Sequence, residues 1–135
     1  MHTIMVTDDE AIVRNLIVNL LSREGYKTLP AEGAVEALTI SETWADPIDL
    51  LIVDYHLKLV NGPQLAQRLA ESRPELKVLH ISGDPIESVE AQQGVSPNDW
   101  FLQKPFTPID LIAHVRHILG APYNRSLSAA KLFMP

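Results

Sequence analysis

The stretch IDLLIV, residues Ile48 to Val53, is a nearly continuous apolar run that ends at the carboxylate of Asp54. Six residues suit a strand better than a helix. An apolar run without alternation is typical of a central parallel strand that is covered on both faces. This stretch therefore predicts the middle of a parallel sheet, with Asp54 directly after the strand.

Similar runs lie on both sides of this strand, and helical patterns separate them. Strands are predicted at 3–7, 26–30, 48–53, 76–81 and 99–102, and helices at 10–24, 34–44, 63–72 and 86–93, with a last helix that Thr107 caps. Strands that alternate with helices predict a parallel sheet with helices on both faces. We expect a single α/β domain over residues 1–119 and a tail or linker over residues 120–135.

The first helix shows the clearest amphipathic spacing. Its apolar residues recur at i, i+4 and i+8, the period of a helix with one buried face. The face expected to point inward consists of Ile12, Val13, Leu16, Ile17, Leu20 and Leu21.

Polar side chains follow the strands where each strand is predicted to end. They are Asp8 and Asp9 after the first strand, Asp54 after the third, Ser82 after the fourth and Lys104 after the fifth. Ligand chemistry in such sheets lies beyond the carboxyl ends of the strands. Three neighbouring carboxylates stay ionised together only if a cation offsets their repulsion, and oxygen ligands suit Mg²⁺. A carboxylate can also act as a nucleophile and become an aspartyl-phosphate.

The composition narrows the function classes. The 135 residues carry a net charge of -6, and the chain has no cysteine. An acidic domain is a poor candidate for direct binding of nucleic acid or of anionic membranes. Thiol catalysis, disulfides and thiolate metal sites are excluded. No apolar run approaches the length of a membrane span, so we expect a cytoplasmic protein.

Four blocks of sequence resemble the motifs of response-regulator receiver domains, and the resemblance covers residues 1 to about 119. The blocks are Ile4 to Glu10, Leu51 to Tyr55, Ile81 to Gly83 and Phe101 to Phe106. The resemblance implies a flavodoxin-like, doubly wound, five-stranded parallel sheet with five helices. It also implies a signalling domain that accepts a phosphoryl group from a histidine kinase or a histidine phosphotransfer protein and then acts on an output protein.

The resemblance assigns a role to each matching residue. Asp54 would be the phospho-acceptor. Mg²⁺ would be bound directly by Asp9, with Asp54 and the backbone carbonyl of His56 as further ligands, and Asp8 would hold the metal more indirectly. Ser82 and Lys104 would stabilise the phosphoryl group. Ser82 and Phe101 would form the switch, and Pro105 would follow a cis peptide bond.

Two other functions remain open at this point. A phosphatase of the haloacid dehalogenase type also uses an aspartyl nucleophile, but it needs a second acid two residues later, where this chain has His56. A pseudo-receiver would be a binding module of the same fold that is never phosphorylated. A receiver is not an enzyme, although it can slowly dephosphorylate itself. Acetyl phosphate separates the three functions, because a receiver becomes labelled and stays so for a while, a phosphatase turns over added substrate, and a pseudo-receiver does neither.

Overall fold

The computed structural model describes residues 1–85 and 94–120. The helix expected at 86–93 therefore lies outside the described residues, as does the expected tail apart from Gly120. The division between a domain at 1–119 and a tail at 120–135 stays a prediction.

Five strands form one parallel sheet in the order β2-β1-β3-β4-β5. The strands are β1 (Thr3–Thr7), β2 (Lys27–Ala31), β3 (Leu50–Asp54), β4 (Lys77–Ser82) and β5 (Trp100–Gln103), and the helices of the described residues are α1 (Ala11–Arg23), α2 (Ala34–Thr43), α3 (Gly62–Ser72) and α4 (Pro108–Leu119). The flavodoxin-like fold class is thus confirmed, with four helices in the described part of the chain. None of these four is long and apolar enough to cross a membrane.

The central strand is β3, which pairs with β1 on one side and β4 on the other. All five of its residues are buried, as its continuous apolar run predicts. The strand begins at Leu50 rather than Ile48. The reason is that Asp49 is engaged with the start of β1, where its carboxylate accepts the Thr3 N–H at 2.7 Å. At its other end the strand extends one residue further than expected, because Asp54 still pairs with Ile81 of β4, so Asp54 is the last residue of β3 and does not follow it.

Two buried layers cover the two faces of the sheet. One layer combines strand residues with Ile17 and Leu21 of α1 and with Leu111 and Val115 of α4. The other layer packs α2 and α3 against the opposite face. The doubly wound arrangement expected from the alternation of strands and helices follows from these two layers.

The inward face predicted for α1 is wrong in part. Ile12 is 85% exposed and Leu16 is 52% exposed. Ile17 and Leu21 are buried, and Val13 packs against the same layer. Because each residue turns a helix by about 100°, a stripe centred on 13, 17 and 21 leaves 12 and 16 towards solvent.

The amino end of β4 is fastened to the end of α4. Lys77, the first residue of β4, donates from Nζ to the carbonyl oxygen of Ile118 at 2.9 Å. A cation suits the carbonyl end of a helix. Burial lowers the pKa of Lys77, while the charge of Asp49 acts in the opposite direction. The last helix is therefore held at the edge of the sheet opposite to Ser82, which ends β4.

Candidate functional site

Three carboxylates meet at the carboxyl edge of the sheet. Asp8 and Asp9 follow β1, and Asp54 ends the neighbouring strand β3. One oxygen from each side chain lies within 4.8 Å of the other two. Asp8 and Asp54 are buried, and Asp9 is half-buried. The structure thus brings together the three acidic residues that the sequence singles out.

Burial destabilises the ionised form of Asp54, and Lys104 stabilises it. Burial raises the pKa of the Asp54 carboxyl, and the negative charge of Asp9 adds to that rise. The Lys104 ammonium lies 3.4 Å from Oδ1 and acts in the opposite direction on this pKa. The net direction is upward, so the ionised form of Asp54 would gain from additional positive charge.

Asp8 shows the same tendency for related reasons. Burial raises the pKa of the Asp8 carboxyl, the Glu10 N–H lowers it by donating to Oδ1 at 2.9 Å, and the charge of Asp54 raises it again. The turn that carries Asp8 is steadied by Arg14, whose Nη1 donates to the Asp8 carbonyl oxygen at 2.7 Å. Sequence reasoning missed Arg14, although it lies little more than one helical turn after the acidic pair.

The donor set suits a hard divalent cation. Mg²⁺ binds oxygen ligands at about 2.0–2.1 Å in an octahedron, so ligands on opposite sides stand about 4.2 Å apart. One oxygen of each of the three carboxylates lies within 4.8 Å of the other two, which is close to that span. Asp8, Asp9 and Asp54 could therefore hold Mg²⁺, and the His56 carbonyl stays a predicted fourth ligand.

The loop after Asp54 returns tightly over the strand end. The Gly62 N–H donates to the Tyr55 carbonyl at 2.9 Å. A Cβ at Gly62 would overlap the Asp54 carbonyl oxygen and would come within 3.0 Å of the Tyr55 Cα. Glycine is therefore required here by close backbone approach, which fixes the backbone of Asp54.

Ser82 and Lys104 are joined through their backbones. The Lys104 N–H donates to the Ser82 carbonyl oxygen at 2.8 Å. The peptide bond between Lys104 and Pro105 is cis. The Ser82 hydroxyl accepts the Asp84 N–H at 2.9 Å, a bond that does not use the hydroxyl proton. Both residues are thus placed at the same edge of the sheet as Asp54.

A contact between a histidine and an aspartate also lies at this edge, and it was not foreseen from the sequence. His56 Nε2 is 2.7 Å from Asp84 Oδ2, and both side chains are exposed. The pair joins the loop after β3 to the loop after β4. A signal for this contact is present in the sequence, because each residue lies two positions after a predicted site residue, Asp54 or Ser82.

Comparisons with known proteins identify the family of this chain. The family model described as "Response regulator receiver domain" matches residues 4–116. The chain belongs to the response regulator receiver domain family. This family is a signalling phospho-acceptor of two-component systems rather than a dedicated enzyme, which decides against the aspartyl phosphatase. Receiver domains of the family typically use Mg²⁺ at an acidic pocket, and they interact with histidine kinases and output domains.

Individual relatives show where such domains occur. The chain is 29% identical over 117 residues to "Sensor kinase CckA" of Brucella abortus, covering 87% of this chain and 12% of that protein. It is 29% identical over 119 residues to "Phosphate regulon transcriptional regulatory protein PhoB" of Pseudomonas aeruginosa, covering 87% and 51%. A solved response regulator receiver protein from Sinorhizobium medicae is 30% identical with a TM-score of 0.79, covering 89% of this chain and 95% of that one. Among these curated relatives, the chain spans from 12% to about half of the full length.

Proposed function

We propose that Asp54 accepts a phosphoryl group from a histidine kinase or a histidine phosphotransfer protein in a reaction that depends on Mg²⁺. The observation that carries this proposal is the arrangement of Asp54 within 4.8 Å of two further carboxylates and 3.4 Å from the Lys104 ammonium. The carboxylates supply metal ligands and a nucleophile, and Lys104 supplies a fixed positive charge.

The reaction would proceed at a carboxylate oxygen of Asp54. This oxygen forms a bond to phosphorus while the bond from phosphorus to the imidazole nitrogen of the donor breaks, and the electron pair of that bond remains on the nitrogen. Asp8, Asp9, Asp54 and the His56 carbonyl would hold Mg²⁺, which would supply positive charge to offset that of the phosphoryl oxygens. Lys104 then pairs with the transferred group, and the Ser82 hydroxyl proton is available to donate to it.

The switch would consist of Ser82 and Phe101. Their strands are adjacent, and the register pairs His80 with Phe101 and Ser82 with Gln103. Movement of the Ser82 hydroxyl towards the phosphoryl group would release space for the Phe101 ring.

Hydrogen exchange with and without beryllofluoride tests this switch. Protection should change at residues 83–106 and should change little at residues 10–45. A change confined to the first two helices would show that the chain signals through another face.

We propose that the domain acts on an output protein through direct contacts. A net charge of -6 supports action through protein contacts rather than direct binding of nucleic acid or of a membrane. A cytoplasmic location, where a histidine kinase would present its phosphoryl group, is also part of the proposal. The relatives include a sensor kinase and a transcriptional regulatory protein, so likeness alone does not select one output.

Acetyl phosphate provides the direct test of the phospho-acceptor. The parent protein with Mg²⁺ should gain the mass of one phosphoryl group, and the label should be absent in Asp54→Asn and in excess EDTA. Asp46→Asn, which removes one exposed carboxylate outside the cluster, should be labelled like the parent. Equal labelling of Asp54→Asn would refute the assignment. An unlabelled parent would indicate a pseudo-receiver.

A further inference from the structure

A buried polar pair joins β4 to the turn before β5. His80 Nε2 lies 2.9 Å from Asp99 Oδ2, and neither side chain has any exposed surface. From the sequence, His80 is expected only to pack inside its strand. Burying two such groups is costly unless each is hydrogen-bonded in a fixed geometry. The proposed phosphoryl transfer uses neither residue, so the pair calls for a separate explanation.

The carboxylate of Asp99 is held in place before β5 begins. The Ser96 N–H donates to Asp99 Oδ2 at 3.0 Å, and the Asp99 N–H donates to the Ser96 carbonyl at 2.9 Å. These two bonds close a turn around Asp99. Because the acceptor is fixed by its own turn, the imidazole that bonds to it is fixed as well.

The imidazole of His80 is the surface on which the Phe101 ring rests. The two rings are stacked with their centroids 5.3 Å apart and their planes 19° from parallel. The rings belong to partner residues in the register of β4 and β5. A histidine held by Asp99 cannot tilt to follow Phe101 without breaking its hydrogen bond.

His80 also lies directly behind the proposed switch. His80 and Ser82 are two residues apart on β4, so their side chains leave the same face of the sheet. The other imidazole nitrogen, Nδ1, is buried without a hydrogen-bond partner among residues 1–85 and 94–120.

We propose that His80 and Asp99 are positioning residues that hold the Phe101 ring in its unphosphorylated place and thereby set how strongly phosphorylation of Asp54 is transmitted to β5. This inference rests on the proposed function, since it requires Asp54 to be the phospho-acceptor. Breaking the pair releases Phe101 and favours the phosphorylated arrangement. By thermodynamic reciprocity, it then also tightens the binding of a phosphoryl mimic at Asp54.

Two variants separate the hydrogen bond from the ring contact. His80→Phe keeps an aromatic face beneath Phe101 and removes the bond to Asp99. Asp99→Leu keeps a similar side-chain volume and removes the oxygen that is bonded to His80. His117→Phe is the matched control, because it makes the same chemical change at an exposed position of α4.

The measurement is the dissociation constant for beryllofluoride in the presence of Mg²⁺, with the melting temperature recorded alongside. Both pair variants should bind beryllofluoride at least about fivefold more tightly than the His117→Phe control. The change in hydrogen exchange that beryllofluoride causes at residues 100–103 should be smaller in them than in the parent. A lowered melting temperature with unchanged or weaker binding would overturn the proposal and leave the pair a structural element only.

A measurement on the parent protein covers the case in which the variants do not fold. Beryllofluoride should shift the ring-proton resonances of His80, because the stacked Phe101 ring moves away from them. Unshifted His80 resonances in a protein that binds beryllofluoride would overturn the inference while leaving the proposed function intact. A parent that neither binds beryllofluoride nor is labelled by acetyl phosphate would overturn both.

Discussion

Asp8→Asn should make the metal-free protein more stable and should reduce the stabilisation that Mg²⁺ provides. Asp8 is only 2% exposed as a residue, and the pKa of its carboxyl is raised, first by burial and further by the charge of Asp54. Asparagine has nearly the same shape, and its Oδ1 can still accept the Glu10 N–H that now donates to Asp8. The substitution therefore removes charge with little change in packing.

The size of the effect follows from the spacing of the carboxylates. Two unit charges 4.8 Å apart repel by about 1 kcal/mol in water and by about 3.5 kcal/mol at an effective dielectric constant of 20. The Lys104 ammonium offsets part of this repulsion. We therefore expect a gain of about 1–2 kcal/mol in the free energy of unfolding in EDTA. For a domain of this size, that corresponds to roughly 3–10 °C in melting temperature.

Urea unfolding in EDTA and in Mg²⁺ provides the assay. The matched control is Asp46→Asn, which changes the net charge equally at an exposed position. Mg²⁺ at one hundred times the parent's dissociation constant should stabilise the parent by about 2.7 kcal/mol. The same Mg²⁺ concentration should stabilise Asp8→Asn by less, because this variant binds the ion more weakly. If Asp8→Asn were less stable than Asp46→Asn in EDTA, the three carboxylates would not repel one another as the structure implies.

Three further predictions concern the same edge of the sheet. Mg²⁺ should raise the melting temperature of the parent, and calorimetry should show that this gain disappears in Asp9→Ala; a parent indifferent to Mg²⁺ would contradict the metal site. In EDTA, the contribution of Asp8 and Asp54 to stability should fall as the pH rises above about 3.8, because their raised pKa values mean that the native state keeps protons that the unfolded chain has released. Urea titrations of the parent and of Asp54→Asn should therefore diverge towards pH 7 in favour of the variant, and the opposite trend would count against the raised pKa values. Gly62→Ala should cost about 1–3 kcal/mol and reduce acetyl-phosphate labelling, because its Cβ would push against the backbone of Asp54, whereas Gly33→Ala meets nothing within 4 Å and should resemble the parent in both assays.

The sequence was sufficient for the order of the elements. The apolar run before Asp54 and the alternation of strands and helices predict the parallel sheet, because burial on both faces leaves a direct mark on composition. The inward face of α1 was misjudged for a physical reason. Ile12 and Leu16 are as apolar as Ile17, and helical spacing alone does not reveal where the stripe that meets the sheet is centred.

The site was predictable to the extent that it depends on strand ends. Asp8, Asp9 and Asp54 converge because parallel strands finish at a common edge, which is a rule of topology. The His56–Asp84 contact and the His80–Asp99 pair depend instead on how loops and neighbouring strands settle against one another. Their partners lie 28 and 19 residues apart, and no periodicity or motif in the sequence links them.

The two ends of β4 have different tasks, because Lys77 at one end holds the end of α4 and Ser82 at the other end lies at the candidate site. Lys77 begins β4 and Ser82 ends it, so about 16 Å of strand lies between the tether of the last helix and the edge that carries Asp54. That distance exceeds the reach of any side chain. A signal that starts at Asp54 can therefore reach this helix end by shifting β4, or through the helix itself, which begins four residues after Lys104. The phospho-acceptor site and the contact that holds the end of α4 can consequently be mutated separately. A substitution of Lys77 would weaken the contact with Ile118 and leave the residues around Asp54 unchanged.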